Sequence, residues 1–274
     1  MKGPHNLWRL VRTGATFERT GAMQVVLEAM KAPPRLRLAA RVLGWPFAWL
    51  GLRGDPALPP VTRALTALGP AYIKFGQILS TRPDIVGVDL ANQLRYLQDQ
   101  LPPFPVDQAR AMIAAELEQP VDTLFSSFSD PIAAASIAQV HRATVRDTGA
   151  DVAVKVLRPG IVRAFRRDID AFYLAAGLIE RLLPSTRRLR PTDVIAHFDG
   201  VVTGELDLRL ETAAAAEFAA NTANDKGFAV PRPVWHLSGR STLTATSSPV
   251  SASRARCTCA MDAAATGSEN SENI

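Results

Sequence analysis

Asp151-Val152-Ala153-Val154-Lys155-Val156-Leu157 decides how this chain is read. Val152, Val154 and Val156 recur at every second position and share one face of an extended segment, while Ala153, Lys155 and Leu157 share the other. Residues 136–145 are also rich in β-branched side chains. Asp147-Thr148-Gly149 between the two runs supplies turn chemistry, so the pair is predicted to form a β-hairpin. The second strand therefore carries one lysine on the face opposite its valines.

Helical periodicity surrounds the hairpin. Upstream, Val61, Leu65, Leu68, Tyr72, Phe75 and Leu79 recur at helical spacing, and Gly69-Pro70 divides the run into two pieces meeting at a bend. A second helix is predicted over 89–101, where Leu90, Leu94, Leu97 and Leu101 form one stripe and Pro102, Pro103 and Pro105 follow. Asp107 is the expected N-cap of a third, whose apolar face includes Met112, Ile113 and Leu117. Downstream, Ile161, Phe165, Ile169, Phe172, Ala176, Ile179 and Leu183 mark a helix closed by Pro184. After the basic run 187–190, one long helix is expected over 192–224, weakened at Gly200 and Gly204, and a further strand near 234–237. The fold class is α+β.

The chain has 274 residues, of which 47% are hydrophobic, so a core can be buried; its net charge is +5 and its pI near 9.6. That balance favours anionic partners such as nucleotide phosphates or anionic lipid. No zinc spacing, helix-turn-helix pattern or aromatic-basic RNA signature is present, which argues against nucleic acid. Cys257 and Cys259 stand too close for an unstrained bridge, and a reducing cytosol is inferred. The start, with Lys2, His5, Trp8, Arg9 and Arg12, lacks a secretory signal. The most apolar run, 42–52, contains Pro46 and is too short to span a bilayer. With Arg35, Arg37 and Arg41 before it, Trp45, Phe47 and Trp49 suit either a membrane surface or a helix end packed on the protein's own core. From 245 to 274 there is no Leu, Phe, Tyr or Trp, and disorder is expected. A natural low-complexity tail or a shift of reading frame would both give that composition, and the sudden appearance of cysteine favours the frame shift.

Four short segments carry candidate chemistry. Lys155 on a strand after a hairpin is the arrangement by which a kinase-like small lobe holds nucleotide phosphates. Ahead of it, Ala133-Ala134-Ala135-Ser136 stands where a conventional kinase has glycines, and alanine restricts positive φ. Lys74-Phe75-Gly76-Gln77 lies in a helical setting that places Lys74 and Gln77 on one face. Glu205-Leu206-Asp207 is followed by Glu211; Asp207 and Glu211, four apart, are expected on one helix face, where a carboxylate would pair with Lys155. Alone, the lysine and the segments 74–77 and 205–211 also read as ordinary solvated surface, and the alanines as a small-residue entry to a strand.

In this order and spacing the four segments resemble the UbiB/AarF family of atypical kinase-like proteins associated with ubiquinone biosynthesis, over roughly residues 58–243. The resemblance implies a KxGQ motif at Lys74, Gly76 and Gln77, and an alanine-rich nucleotide loop at Ala133, Ala134, Ala135 and Ser136. It makes Lys155 the nucleotide-binding lysine, places an ExD motif at Glu205 and Asp207, and gives Glu211 as the lysine's carboxylate partner. It further implies ATP or ADP with Mg²⁺, an ATPase or small-molecule kinase activity, and a KxGQ segment lying over the site where a protein substrate would dock. The location implied is cytoplasmic and peripheral to the inner membrane, beside ubiquinone-biosynthesis proteins. The regions expected are a basic and apolar start (1–57), a helical KxGQ extension (58–130), a kinase-like small lobe (131–243) and a disordered tail (244–274).

One departure stands out. A kinase large lobe needs a catalytic-loop aspartate, an asparagine for metal and an Asp-Phe-Gly segment. After Leu243 the one aspartate is Asp262, whose neighbours match neither motif. The expectation is a carboxy-terminally truncated member without a large lobe, metal ligands or appreciable turnover. Two alternatives stay open: a non-catalytic nucleotide- or membrane-binding fragment, and a small-molecule phosphotransferase of kinase-like fold, against which the segment 74–77 argues.

Overall fold

Among the described residues proline stands at the first residue of six α-helices, where its missing N–H belongs to a turn that needs no donor. The computed structural model describes residues 4–97, 101–182, 184–225 and 230–246. The chain runs through α1 (Pro4–Thr20), α2 (Ala22–Ala29), α3 (Pro34–Gly44), a 3-10 helix (Trp45–Leu50), α4 (Pro60–Leu68), α5 (Pro70–Ser80), α6 (Pro83–Val86) and α7 (Val88–Leu94). It continues through α8 (Val106–Leu117), α9 (Val121–Leu124), β1 (Phe125–Ala134), β2 (Ala138–Val145), β3 (Asp151–Leu157), α10 (Ile161–Leu182), α11 (Pro191–Glu205), α12 (Leu208–Asn221) and β4 (Thr242–Thr246). Two compact units result, each made of two stretches of chain. One takes residues up to Leu101 with Gly160–Thr203; the other takes Pro102–Pro159 with residues from Gly204 on.

The first unit is helical. Its core holds Tyr72 and Phe75 of α5, Phe172 of α10 and Phe198 of α11, with ring centroids 4.7 to 5.8 Å apart. Edge-on and tilted contacts of this kind add stabilisation beyond the area they bury. The Tyr72 hydroxyl shares a 2.7 Å hydrogen bond with Thr13 of α1, and burial pushes its pKa up to about 12, so the phenol stays neutral. Arg9 of α1 pairs with the largely buried Asp168 of α10. The expected bend at Gly69-Pro70 is present, with Gly69 at φ 113° joining α4 to α5.

The second unit is an antiparallel sheet in the order β1-β2-β3-β4. The valine alternation holds: Val152, Val154 and Val156 are fully buried with Ala109 and Ile113 of α8, Phe125, Ala143 and Leu237. Burying each valine contributes roughly 1.5–3 kcal/mol before chain entropy is counted.

Several local expectations are corrected. The helix over 89–101 stops at Leu94, although Leu97 is still buried. α8 is preceded by Pro105 at its N-cap, and Asp107 sits inside the first turn, where its charge meets the helix dipole. The single helix expected over 192–224 is two, because the chain leaves helical geometry at Asp207. Residues 234–237 form a short 3-10 turn (Trp235–Leu237) that buries Leu237, and the strand comes after it, at β4. β1 escaped notice because Ser126, Ser127, Ser129, Asp130 and Pro131 suppress strand propensity; two-sided pairing is not asked of it, and an edge strand tolerates proline and irregular register. β4 carries on to Thr246, so 244–246 are strand residues. The rest of the composition-biased stretch, both cysteines included, lies outside the described residues.

Candidate functional site

Antiparallel pairing places side chains of directly opposed residues on one face of a sheet. Ala133 pairs with Val140, Val140 with Lys155, and Lys155 with Leu243, so one row crosses all four strands. The alanine-rich segment and the strand lysine, 22 residues apart in sequence, are thereby neighbours two strands apart, about 10 Å in backbone spacing. Lys155 Nζ donates to both carboxylate oxygens of Glu211, at 2.7 and 2.9 Å. The lysine side chain is 17% exposed and the glutamate 42%. A pair this open to water contributes only about 0–1 kcal/mol to stability. Its effect is on position: it holds the ammonium group over the open face of β3.

Glu211 is placed by a capped helix. Asp207 is the N-cap of α12, and its carboxylate accepts from the Arg209 backbone N–H at 3.2 Å. It also accepts from Arg209 Nε at 2.9 Å and Nη2 at 2.6 Å, and Arg240 Nε stands 3.8 Å away. The expected shared helix face of Asp207 and Glu211 is therefore corrected, since Asp207 lies outside the helix and pairs with arginine. The Arg209 hydrogen bonds hold its carboxyl below the usual range. Glu205, half-buried, ends α11. The start of α12 is tied to the turn before β4: Leu208 N–H donates to the Arg240 carbonyl at 2.9 Å. Glu116 of α8 accepts from the Arg240 N–H at 2.5 Å and the Ser241 hydroxyl at 2.6 Å. A Cβ at Gly239 would come within 2.3 Å of Glu116 Oε1, so a larger residue there would push the carboxylate off these bonds.

The alanine turn needs no left-handed residue, because none of the described residues with positive φ falls in it. It closes through Ala135 N–H donating to the Ala138 carbonyl at 2.8 Å. Ser136 is buried. Arg158, three residues beyond Lys155, donates from Nε (3.0 Å) and Nη2 (2.9 Å) to the Ala135 carbonyl and from Nη2 to that of Pro102 (2.8 Å). Below the turn, on the valine face, Gln139 and the fully buried His141 form a polar link. Gln139 Oε1 accepts from the Phe104 N–H at 3.0 Å, its amide nitrogen lies 2.9 Å from His141 Nε2, and His141 Nδ1 lies 2.8 Å from the Ser129 carbonyl. A neutral ring protonated on Nδ1 satisfies every partner. Burial accordingly pushes the His141 pKa down, against the opposing pull of the Ser129 carbonyl and Asp130. Arg158, Gln139 and His141 were missed in the sequence; the signal available was two polar residues falling on the buried phase of a strand.

Lys74, Gly76 and Gln77 belong to the helical unit, on α5. Lys74 and Gln77 are half-buried, and Gln77's carbonyl accepts from the Ser80 hydroxyl at 2.6 Å. Gly76 is buried, and a Cβ there would come within 2.3 Å of Leu97 and 2.7 Å of Leu65. Its role in the motif is close helix packing. Among the described residues no three His, Cys, Asp or Glu side chains gather to hold a metal.

The description "ABC1 atypical kinase-like domain" matches residues 96–249. A curated relative from Marinobacter nauticus, "Probable protein kinase UbiB", is 46% identical over 181 residues, covering 66% of this chain and 33% of its own length. Its namesake from Azotobacter vinelandii is 42% identical over 207 residues, covering 74% of this chain and 38% of its own. The chain thus spans about a third of the length of the curated relatives it matches. A solved complex of Rv3197 with erythromycin from Mycobacterium tuberculosis is similar at 30% identity with a TM-score of 0.44, over 54% of this chain and 36% of that one.

Proposed function

This chain belongs to the ABC1 atypical kinase-like family, the UbiB/AarF group, and from that premise we propose that its sheet unit binds ATP or ADP on the open face of β3. The observation that carries the reading is the ammonium group of Lys155, held by both oxygens of Glu211 in a row that also contains Ala133. An oriented cation on a rigid strand is what phosphoryl-group binding requires, since positioning and charge do most of that work. Ala133, Ala134, Ala135 and Ser136 shape the turn above the phosphates, and Ala153, Val140 and Leu243 offer apolar contact to a base. The nucleotide-binding region falls within residues 131–243.

Mg²⁺ accompanies the nucleotide as its counter-ion, with no protein ligand assigned to it here. Binding without appreciable turnover is expected of these 274 residues on their own, because no catalytic-loop or Asp-Phe-Gly segment follows Leu243 in them. Within the family's pattern Lys74, Gly76 and Gln77 are the KxGQ motif of the helical unit, and Glu205 and Asp207 the ExD motif of the sheet unit. The wider role we propose is support of ubiquinone biosynthesis at the surface of the inner membrane. Among the described residues no helix is long and apolar enough to cross one.

Titration with a fluorescent ATP analogue tests the site. Lys155→Met is expected to weaken binding at least about tenfold, as for loss of a charge-assisted contact, and Glu211→Gln less. Equal affinity for wild type and Lys155→Met, both folded by circular dichroism, would discard this assignment.

A further inference from the structure

The net charge of the chain is concentrated at one end. The first 50 residues hold eight of the 31 lysines and arginines but two of the 26 acidic residues, a local balance of +6 that leaves −1 for everything after. Between Glu28 and Asp55 there is no acidic residue, while Lys31, Arg35, Arg37, Arg41 and Arg53 all fall there.

The same stretch presents the two most exposed aromatic side chains among the described residues, Trp45 at 77% and Trp49 at 72%, with Phe47 between them at 54%. The sequence left two readings for these residues, and the two indole rings stand out in solvent while Phe47 is partly covered beside α1 and α3. The indoles stand outward because the 3-10 helix that bears them is fastened by its main chain. Arg19 donates to the carbonyls of Trp49 (3.1 Å) and Gly51 (2.7 Å), and the Leu52 N–H donates to Thr16 Oγ1 at 3.0 Å. Gly51 sits so close to α1 that a Cβ would come within 2.3 Å of the Ala15 carbonyl. On α3, exposed Leu38 and Val42 are four apart and lead into Trp45, with exposed Arg35 and Arg41 at the two margins of that stripe.

We infer that α3 and the 3-10 helix after it dock on an anionic lipid surface, with Trp45, Phe47 and Trp49 entering the interface and Arg35 and Arg41 at the headgroups. An apolar stripe with basic margins and indole rings is the chemistry that an anionic bilayer surface accepts. A protein partner would have to be both acidic and deeply grooved to match it. The inference rests on the membrane-surface location proposed above and names the element that makes the contact.

Flotation of the full chain with phosphatidylcholine–phosphatidylglycerol vesicles, against phosphatidylcholine alone, tests it. Binding is expected to the anionic vesicles, falling with salt. Trp45→Ala with Trp49→Ala should reduce it at least about tenfold. Each arginine is worth roughly fivefold, so Arg35→Gln with Arg41→Gln should reduce it about 25-fold. These side chains are exposed, so thermal unfolding should be unchanged. Tryptophan emission should shift to the blue on binding in wild type and in Trp235→Phe, but not in the Trp45/Trp49 variant. Binding that survives both double variants overturns the inference and leaves the membrane location standing. No binding to anionic vesicles overturns both, and self-association that depends on Trp45 and Trp49 assigns the face to a second copy. Lys155→Met should float like wild type, which separates this test from the nucleotide site.

Discussion

Asp207 shows how much a single carboxylate does in this molecule. It caps α12 and binds Arg209, and through the helix it fixes where Glu211 meets Lys155. Asp207→Ala is expected to cost about 1 kcal/mol by urea denaturation, the usual worth of such a cap, and to weaken nucleotide binding without touching the ligand. Asp207→Asn keeps a capping side chain and should fold more stably than the alanine variant. The acid sign follows from its lowered pKa: the stabilisation is complete above the ordinary carboxylate value near 4 and fades as pH falls through the folded value. The gap between wild type and Asp207→Asn should therefore close in melts run at progressively lower pH below about 4. The Lys155–Glu211 pair was legible in the sequence from motif order, but the cap was not. Spacing of four suggested a shared face, and only the break in the backbone after α11 reveals that Asp207 precedes the helix.

At the level of elements, two packings carry consequences. α5 approaches α4 and the Leu94–Leu97 turn at Gly76 with no room for a methyl group. Gly76→Ala should cost about 1–3 kcal/mol through overpacking, measured as a lower unfolding midpoint. In the sheet, Gln139 and His141 join β2 to β1 and to the chain entering α8. Because the folded pKa of His141 lies below its ordinary 6.5, the unfolded chain takes the proton first as pH drops. Stability should be full above pH 6.5 and decline below it, and His141→Gln should flatten that slope in melts between about pH 7.5 and 5.5. Elements with strong periodicity, such as α4, α5, α10 and β3, were legible because their apolar faces are what folding buries. β1 and β4 were not. The serines, Asp130 and Pro131 of β1 are poor strand formers alone, and β4 is only five residues long; both become strands because a neighbour already offers unpaired backbone groups.

Taken whole, the molecule threads its chain through each unit twice, since Gly160–Thr203 returns to the helical unit between β3 and β4. A chain ended after Thr203 keeps β1 to β3 but loses β4 and Glu211. It is expected to bind no nucleotide and to elute as aggregate on size exclusion, because β3 becomes a bare edge. The threading was illegible in the sequence, where the four expected regions simply followed one another; which segments pair across such distances is decided by the fit of faces. It also sets a timetable for synthesis. Between the end of β3 and the start of β4 lie 84 residues, about 4–17 s of translation. For that interval the nascent protein exposes a valine-rich ribbon with one flank unpartnered, and whatever shelters it on the ribosome governs the yield of functional protein.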